Sequence, residues 1–243
     1  MTRVCAHRGT MAGRLENTVE GAEVAWSRGC DGVEIDVRVT SDGVAVAFHD
    51  HDTARFGGAG TSIRQLRFSD LGNLNTSVPR LEEVAEVVPP DGTLWLDIKS
   101  QVSEFGAIAT AISRCRLRTT QLAFQSFDPA ILKCVAESFP ACELYWLMLP
   151  LPTGPNCALR YGTTMLEWTG NIPITGYALH FESLTDDFSN AVRSKNLGIY
   201  LWTVNELSHL TAARDFAPAW IETDRLAYAW SVLQKPQRRP AAS

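Results

Sequence analysis

Short apolar runs of strand length alternate with longer helix-like stretches along the chain. This is the pattern of an α/β protein whose parallel sheet is covered by helices. The strand candidates are Val4–His7, Gly32–Val39, Val44–His49, Thr93–Ile98, Gln121–Ser126, Glu143–Met148, Gly176–Phe181, Gly198–Val204 and Trp220–Thr223. Helical stretches cover Thr18–Arg28, Leu81–Val88, Glu104–Arg116, Pro129–Ser138, Thr185–Lys195 and Glu206–Phe216. Nine strands are one more than a simple barrel needs. The surplus has a local cause, because only Thr40-Ser41-Asp42-Gly43 separates the second run from the third, and Asp-Gly marks a tight hairpin turn. A parallel crossover needs about a dozen residues, so these two runs pair antiparallel. Eight parallel strands remain, the number that closes a single (β/α)8 TIM-type barrel, here with a β-hairpin excursion after the second strand. Periodicity alone does not separate that barrel from an open doubly wound sheet. No G-x-G-x-x-G follows the first strand, however, which weakens a dinucleotide-binding sheet.

The chain has 243 residues, 45% hydrophobic and 20% charged, which suits one barrel of about 250 residues better than two small cores. The expected division is a barrel over 1–233 and a disordered tail over 234–243, where two prolines stand among Lys235, Arg238 and Arg239. A net charge of −5 argues against a nucleic-acid partner but not against a small anionic substrate, which needs only local positive charge. The N-terminus lacks the apolar run of a signal peptide, and no stretch reaches the roughly 18 apolar residues that span a bilayer. Cys5, Cys30, Cys115, Cys134, Cys142 and Cys157 are scattered without a C-x-x-C pair. Reduced thiols and a cytoplasmic location are therefore expected.

Glu34-Ile35-Asp36 sets two acids on one face of an otherwise apolar strand. Val33, Ile35 and Val37 on the other face place that strand in the interior, where two adjacent carboxylates persist only if a cation neutralises them. Asp97-Ile98-Lys99 repeats the device, and a third carboxylate completes an oxygen-rich site for one divalent cation, Mg2+ or Ca2+. Lys99 offers a compact charge for a phosphate oxygen, although this pair alone fits a structural ion pair equally well. With Asp42-Gly43 as a two-residue turn, Asp36 falls directly opposite His49, their Cβ atoms roughly 4.5–5.5 Å apart. His49 beside a metal site is a catalytic candidate. The first strand ends in His7-Arg8-Gly9, where barrels collect catalytic groups: His7 is a second acid–base candidate, and Arg8 carries a phosphate-binding fork. The Trp202 indole suits either stacking on a substrate's apolar face or core packing. His180 is a weaker candidate at its strand's end, and His51 and His209 read as surface residues.

As a set, these motifs resemble the signature of the glycerophosphodiester phosphodiesterases in order and spacing. They are His7-Arg8-Gly9, Glu16-Asn17-Thr18, Glu34-x-Asp36, Thr40-x-Asp42-Gly43, His49-Asp50, Asp97-x-Lys99, Ser126-Phe127, Trp202-Thr203-Val204-Asn205 and Thr223-Asp224. The resemblance runs from about residue 3 to residue 225. It implies a β/α barrel with a divalent ion on Glu34, Asp36 and Asp97. It further implies His7 and His49 as the acid–base pair, Arg8 and Lys99 on phosphate, and Glu16 and Asn17 supporting the site from its first loop. Three positions depart from the family: Leu15 replaces a proline, and Asp97 replaces a glutamate, as in the related sphingomyelinase D-like enzymes. Thr53-Ala54-Arg55-Phe56-Gly57 replaces Leu-Asp-Arg-Thr-Thr, so the alcohol-recognising wall is expected to differ.

The expected reaction is hydrolysis of a small glycerophosphodiester to a phosphomonoester and an alcohol. The rivals are the same chemistry on an opine-type sugar phosphodiester or a lysophospholipid, and a non-catalytic binding barrel. A lipid substrate calls for an apolar patch that the sequence does not display, and the connection from Pro150 to Ile174 is expected to shape a polar pocket. A binding barrel would tend to have lost a histidine or a metal acid, and all five are present.

Overall fold

The computed structural model describes residues 1–9, 15–153, 158–168 and 170–233. The expected tail over 234–243, and Cys157, lie outside the described residues. Strands β1 (Arg3–Ala6), β2 (Gly32–Val39), β3 (Ala45–Ala47), β4 (Thr93–Ile98), β5 (Leu122–Ser126) and β6 (Glu143–Met148) are followed by β7 (Leu151–Thr153), β8 (Ala158–Arg160), β9 (Gly176–His180), β10 (Gly198–Trp202) and β11 (Trp220–Thr223). The helices are α1 (Val19–Ser27), α2 (Leu81–Glu86), α3 (Phe105–Arg114), α4 (Pro129–Ser138), α5 (Asp186–Ser194), α6 (Leu207–Ala213) and α7 (Leu226–Leu233). Among the described residues, eight parallel strands run β1-β2-β4-β5-β6-β9-β10-β11 and return to β1, which closes the barrel. No helix among them is long and apolar enough to cross a membrane.

Two apolar layers hold this ring. Outside it, Val33, Ile35, Leu94, Leu96, Phe124 and Leu179 meet the helices. Inside it, Cys5, Trp95, Ala123, Tyr145, Leu147, Ala178, Tyr200 and Trp220 fill the barrel below its carboxyl ends. Trp95 meets Tyr145, Tyr200 and Trp220 edge-on, with centroids 5.2, 4.8 and 5.3 Å away. Gly198 makes room for this packing, since a Cβ there would lie 2.4 Å from the Tyr145 hydroxyl. Helix starts follow side-chain chemistry: Thr18 accepts the Gly21 N–H, and Asp128 accepts the Ala130 N–H one residue before Pro129. Helix α7 was not expected, because Leu226–Leu233 carries too few polar residues to display an amphipathic stripe.

The hairpin forms, but its register differs by one residue from that expected. Val37 pairs with Ala47, Arg38 with Val46 and Val39 with Ala45, so Asp36 stands opposite Phe48 rather than His49. The cause is the turn. Thr40 N–H bonds the Val44 carbonyl at 3.0 Å around a three-residue loop whose last member, Gly43, takes φ 76°. Strict alternation would then turn His49 away from Asp36. Strand β3 instead ends at Ala47; Phe48 drops into a satellite core with Val46, Ile63 and Leu71, and His49 leaves sheet geometry. The Arg38 guanidinium holds the His49 carbonyl at 2.7 and 3.0 Å and fixes where the chain goes next.

Candidate active site

The carboxyl ends of β1, β2, β4, β5, β6, β10 and β11, with the loops that follow, surround a cavity of about 330 Å3. Its lining includes His7, Arg8, Glu34, Asp36, His49, Asp97, Lys99 and Trp202, so eight of the ten expected site residues meet in one place. Glu16 and Asn17 stand just behind it. The β2–β4 register explains the meeting of the acids, because Asp36 pairs with Asp97 and Glu34 lies two residues before Asp36 on the same face. Glu34, Asp36 and Asp97 are buried, and each offers a carboxylate oxygen within 4.8 Å of the other two. Asp97 Oδ1 is buried without a hydrogen-bond partner. An all-oxygen donor set with an unsatisfied buried member fits a hard divalent cation.

The three acids differ in their surroundings. Glu34 accepts the Arg8 backbone N–H at 2.9 Å, and no ion pair to it is found among the described residues. Burial pushes its carboxyl well up, and the charges of Asp36, Glu222 and Asp97 push it further. Asp36 receives the Asn17 amide at 2.9 Å, with Lys99 Nζ at 3.3 Å and Arg8 Nε at 3.2 Å. Burial raises its pKa, but Lys99 and Arg8 outweigh burial and hold it below the usual range. Asp97 accepts from Lys99 at 2.5 Å, yet burial still pushes it up to about 6. The ion pair that the sequence left open is thus present, and Lys99 also faces the cavity.

Two left-handed residues shape the first loop. Arg8 has φ 52° and Asn17 φ 56°, conformations that non-glycine residues hold only when their surroundings fix them. Asn17 is fixed at both ends of its amide: Nδ2 donates to Asp36 Oδ2 and Oδ1 accepts the Asp36 N–H, each at 2.9 Å. Arg8 reaches Glu16 at 3.3 Å.

Both histidines are held through Nδ1. His7 Nδ1 lies 3.0 Å from Asp224 Oδ1, and the Asn205 amide donates to the same carboxylate at 2.7 Å. His49 Nδ1 lies 2.8 Å from Asp50 Oδ1, which Arg55 grips in turn. A carboxylate on Nδ1 fixes the tautomer that leaves Nε2 able to exchange a proton. His7 stands beside Glu222, whose Oε1 is 3.8 Å from Nε2, whereas His49 stands beside Asp36. Burial opposes protonation of His7, but Glu222 and Asp224 raise its pKa overall; burial lowers that of His49.

One wall is apolar and comprises Phe127, Leu147, Leu149 and the half-buried Trp202, with Phe127 edge-on to Trp202 at 6.2 Å, while Gln125, Thr203 and Glu222 complete the lining. Among the described residues, the connection from 150 to 174 contributes none to the lining of this cavity. His180 packs behind Trp202, its ring 5.4 Å away, while His51 and His209 lie outside the cavity.

A family model described as the glycerophosphoryl diester phosphodiesterase family matches residues 7–227. The chain belongs to that family. It is 30% identical over 224 residues to a glycerophosphodiester phosphodiesterase of Bacillus altitudinis, covering 84% of this chain and 87% of the relative. It is 26% identical over 243 residues to the probable glycerophosphodiester phosphodiesterase 1 of Mycobacterium tuberculosis, covering 90% and 88%. The solved glycerophosphodiester phosphodiesterase of Thermotoga maritima superposes with a TM-score of 0.75 at 27% identity, over 97% of this chain and 99% of that one. An Oleispira antarctica phosphodiesterase, solved in complex with the product sn-glycerol-3-phosphate, shares the fold. Its TM-score is 0.83 at 19% identity, over 97% and 98% of the two chains.

Membership of this family of phosphoric diester hydrolases accounts for the motif set, and the structure adds residues to it. Glu222 is buried, accepts from Tyr200 at 2.6 Å, and forms a second cluster with His7 and Glu34 within 4.8 Å. Its sequence signal is one acid between Trp220 and Thr223. Only the parallel pairing of Cys5 with Glu222 brings it beside His7. Asp50 and Asp224 were visible as letters of the phosphodiesterase motifs, but their hold on the histidine rings is tertiary. Gln125, paired with Asp97 across β4 and β5, lines the cavity as well.

Proposed function

We propose that this phosphodiesterase hydrolyses small glycerophosphodiesters to a phosphomonoester and an alcohol, with His7 and His49 as its acid–base pair and a divalent cation on Glu34, Asp36 and Asp97. The observation that carries this reading is the meeting of two carboxylate-held imidazoles and three clustered buried acids in one cavity. When bound, Mg2+ or Ca2+ would supply charge stabilisation at a phosphoryl oxygen. Arg8 and Lys99 hold the phosphate, Arg8 through a fork and Lys99 as a point charge. One histidine takes the proton of the attacking hydroxyl, of water or of the substrate's own neighbouring alcohol, as the new O–P bond forms, and the other protonates the leaving alkoxide as the old P–O bond breaks. A cyclic phosphate formed by the second nucleophile is then opened by water. Trp202, Phe127 and Leu149 receive the carbon skeleton of the substrate. By analogy with the Oleispira complex, the phosphomonoester is sn-glycerol 3-phosphate.

The test is a product assay by phosphorus NMR on purified protein offered glycerophosphodiesters, an opine-type sugar phosphodiester and a lysophospholipid. Release of glycerol phosphate from the first class at the highest kcat/KM is expected. Turnover confined to either of the other two would contradict the substrate assignment, and no turnover of any diester would contradict the function.

A further inference from the structure

The segment Thr53–Gly57, expected to recognise the alcohol, contributes no lining residue to the cavity. Its arginine faces elsewhere. Arg55 Nε donates to Asp50 Oδ2 at 2.6 Å and Nη2 to Asp50 Oδ1 at 3.2 Å. The same guanidinium bonds Glu16, through Nη1 to Oε2 at 2.9 Å and through Nη2 to Oε1. Asp50 Oδ1 is the atom that meets His49 Nδ1, and Glu16 Oε1 is the atom that meets Arg8. One planar fork therefore closes a chain of contacts from His49 through Asp50 and Glu16 to Arg8, joining the first loop to the hairpin excursion. Arg55 is itself steadied, with its guanidinium 4.3 Å over the Phe56 ring, which packs on Phe48 at 5.3 Å.

We infer that Arg55 is a positioning residue of the proposed reaction, setting His49 and Arg8 in one geometry through Asp50 and Glu16. The inference rests on the functional reading above. Two features favour positioning over simple stability. The Arg55 side chain is 45% exposed, and exposed ion pairs add little to folding. The fork also engages both oxygens of both acids, so it fixes orientation as well as charge, which a lysine cannot reproduce. Without it, the Asp50 carboxylate, which is partly exposed, is free to turn and His49 is free to change tautomer. Misplacement of a reacting group by about 1 Å can cost on the order of 100-fold in rate.

The test pairs kinetics with imidazole nitrogen-15 NMR on the full chain at about pH 8, where an unperturbed histidine is neutral. The His49 signals are assigned by their loss in His49→Ala. In the wild type His49 should be the Nδ1–H tautomer, and in Arg55→Ala a mixture. Arg55→Ala should lower kcat about 10- to 100-fold. Asp50→Asn should reproduce the kcat loss and Glu16→Gln a rise in KM, while Arg55→Ala combined with Asp50→Asn should lose no more kcat than either alone. Arg55→Lys should recover little. An unchanged tautomer, additive losses in the double variant, or a kcat within twofold of wild type would each overturn the inference. A wild type inactive on every diester sinks the functional reading instead, and the tautomer still decides whether Arg55 sets His49.

Discussion

Glu34 is the residue whose environment is least favourable to its own charge. It is buried among three other acids, and among the described residues the hydrogen bond it accepts comes from a backbone N–H. An acid whose pKa is higher folded than unfolded keeps its proton longer in the folded state. Such a group costs stability as pH rises from the ordinary carboxylate range through its folded pKa. Metal-free protein should therefore lose stability as pH rises to 6 and beyond, with Asp97, at about 6, contributing in the same direction. Glu34→Gln keeps an acceptor for the Arg8 N–H and removes the charge. In chelator at neutral pH it should raise Tm by about 2–4 °C, equivalent to roughly 1 kcal/mol for a chain of this size, and it should abolish any rise in Tm on adding Mg2+ or Ca2+. Thermal scans with and without cation check both arms. A variant less stable than wild type in chelator would show that the acids do not repel as described. The two histidines yield a second contrast. With an activated aryl leaving group, the variant lacking the acid should recover much of a loss on the order of 10²–10⁴-fold, and the variant lacking the base should not. Equal losses of His7→Ala and His49→Ala on both leaving groups would assign them to phosphate binding.

At the scale of elements, the β2–β3 hairpin shows what the sequence conveyed and what it withheld. Alternation along Gly32–Val39 placed Glu34 and Asp36 on one face, since a period of two follows from the pleat. The register was not legible, because Asp42-Gly43 suits both a two-residue turn and the end of a three-residue one, and only the left-handed Gly43 closing onto Thr40 selects the second. His49 still arrives beside Asp36, for a reason absent from the local sequence: β3 stops early and Arg38 anchors the His49 carbonyl. Glu222 and the holds of Asp224 and Asp50 were likewise beyond reach, being set by pairing across the closed barrel and by loop packing. Gly43→Ala should cost about 1–2 kcal/mol in urea denaturation through its positive φ alone, because nothing lies within 4 Å of the added Cβ. Gly72→Ala, equally uncrowded and with no positive φ, is the control. Equal stability of the two variants would remove the strain argument.

Across the whole molecule, stability and chemistry occupy different depths of one barrel. Tyr145, Trp95, Tyr200 and Trp220 fill the interior, and the charged groups stand above them at the carboxyl ends of the strands. Gly198→Ala should destabilise by roughly 1–3 kcal/mol, because its Cβ meets the Tyr145 hydroxyl, and Tyr145→Phe in the same chain should return most of that loss. Additive losses by denaturation would mean that the clash lies elsewhere. The central claim is that the acids at the barrel mouth work through a cation. Its most direct measurement is turnover of a glycerophosphodiester by purified protein before chelation, after chelation, and after Mg2+ or Ca2+ is restored, with Asp36→Asn alongside. Activity should vanish with the cation, return with it, and be absent throughout in the variant while its Tm shows a folded barrel. Unchanged wild-type turnover in chelator would contradict the account.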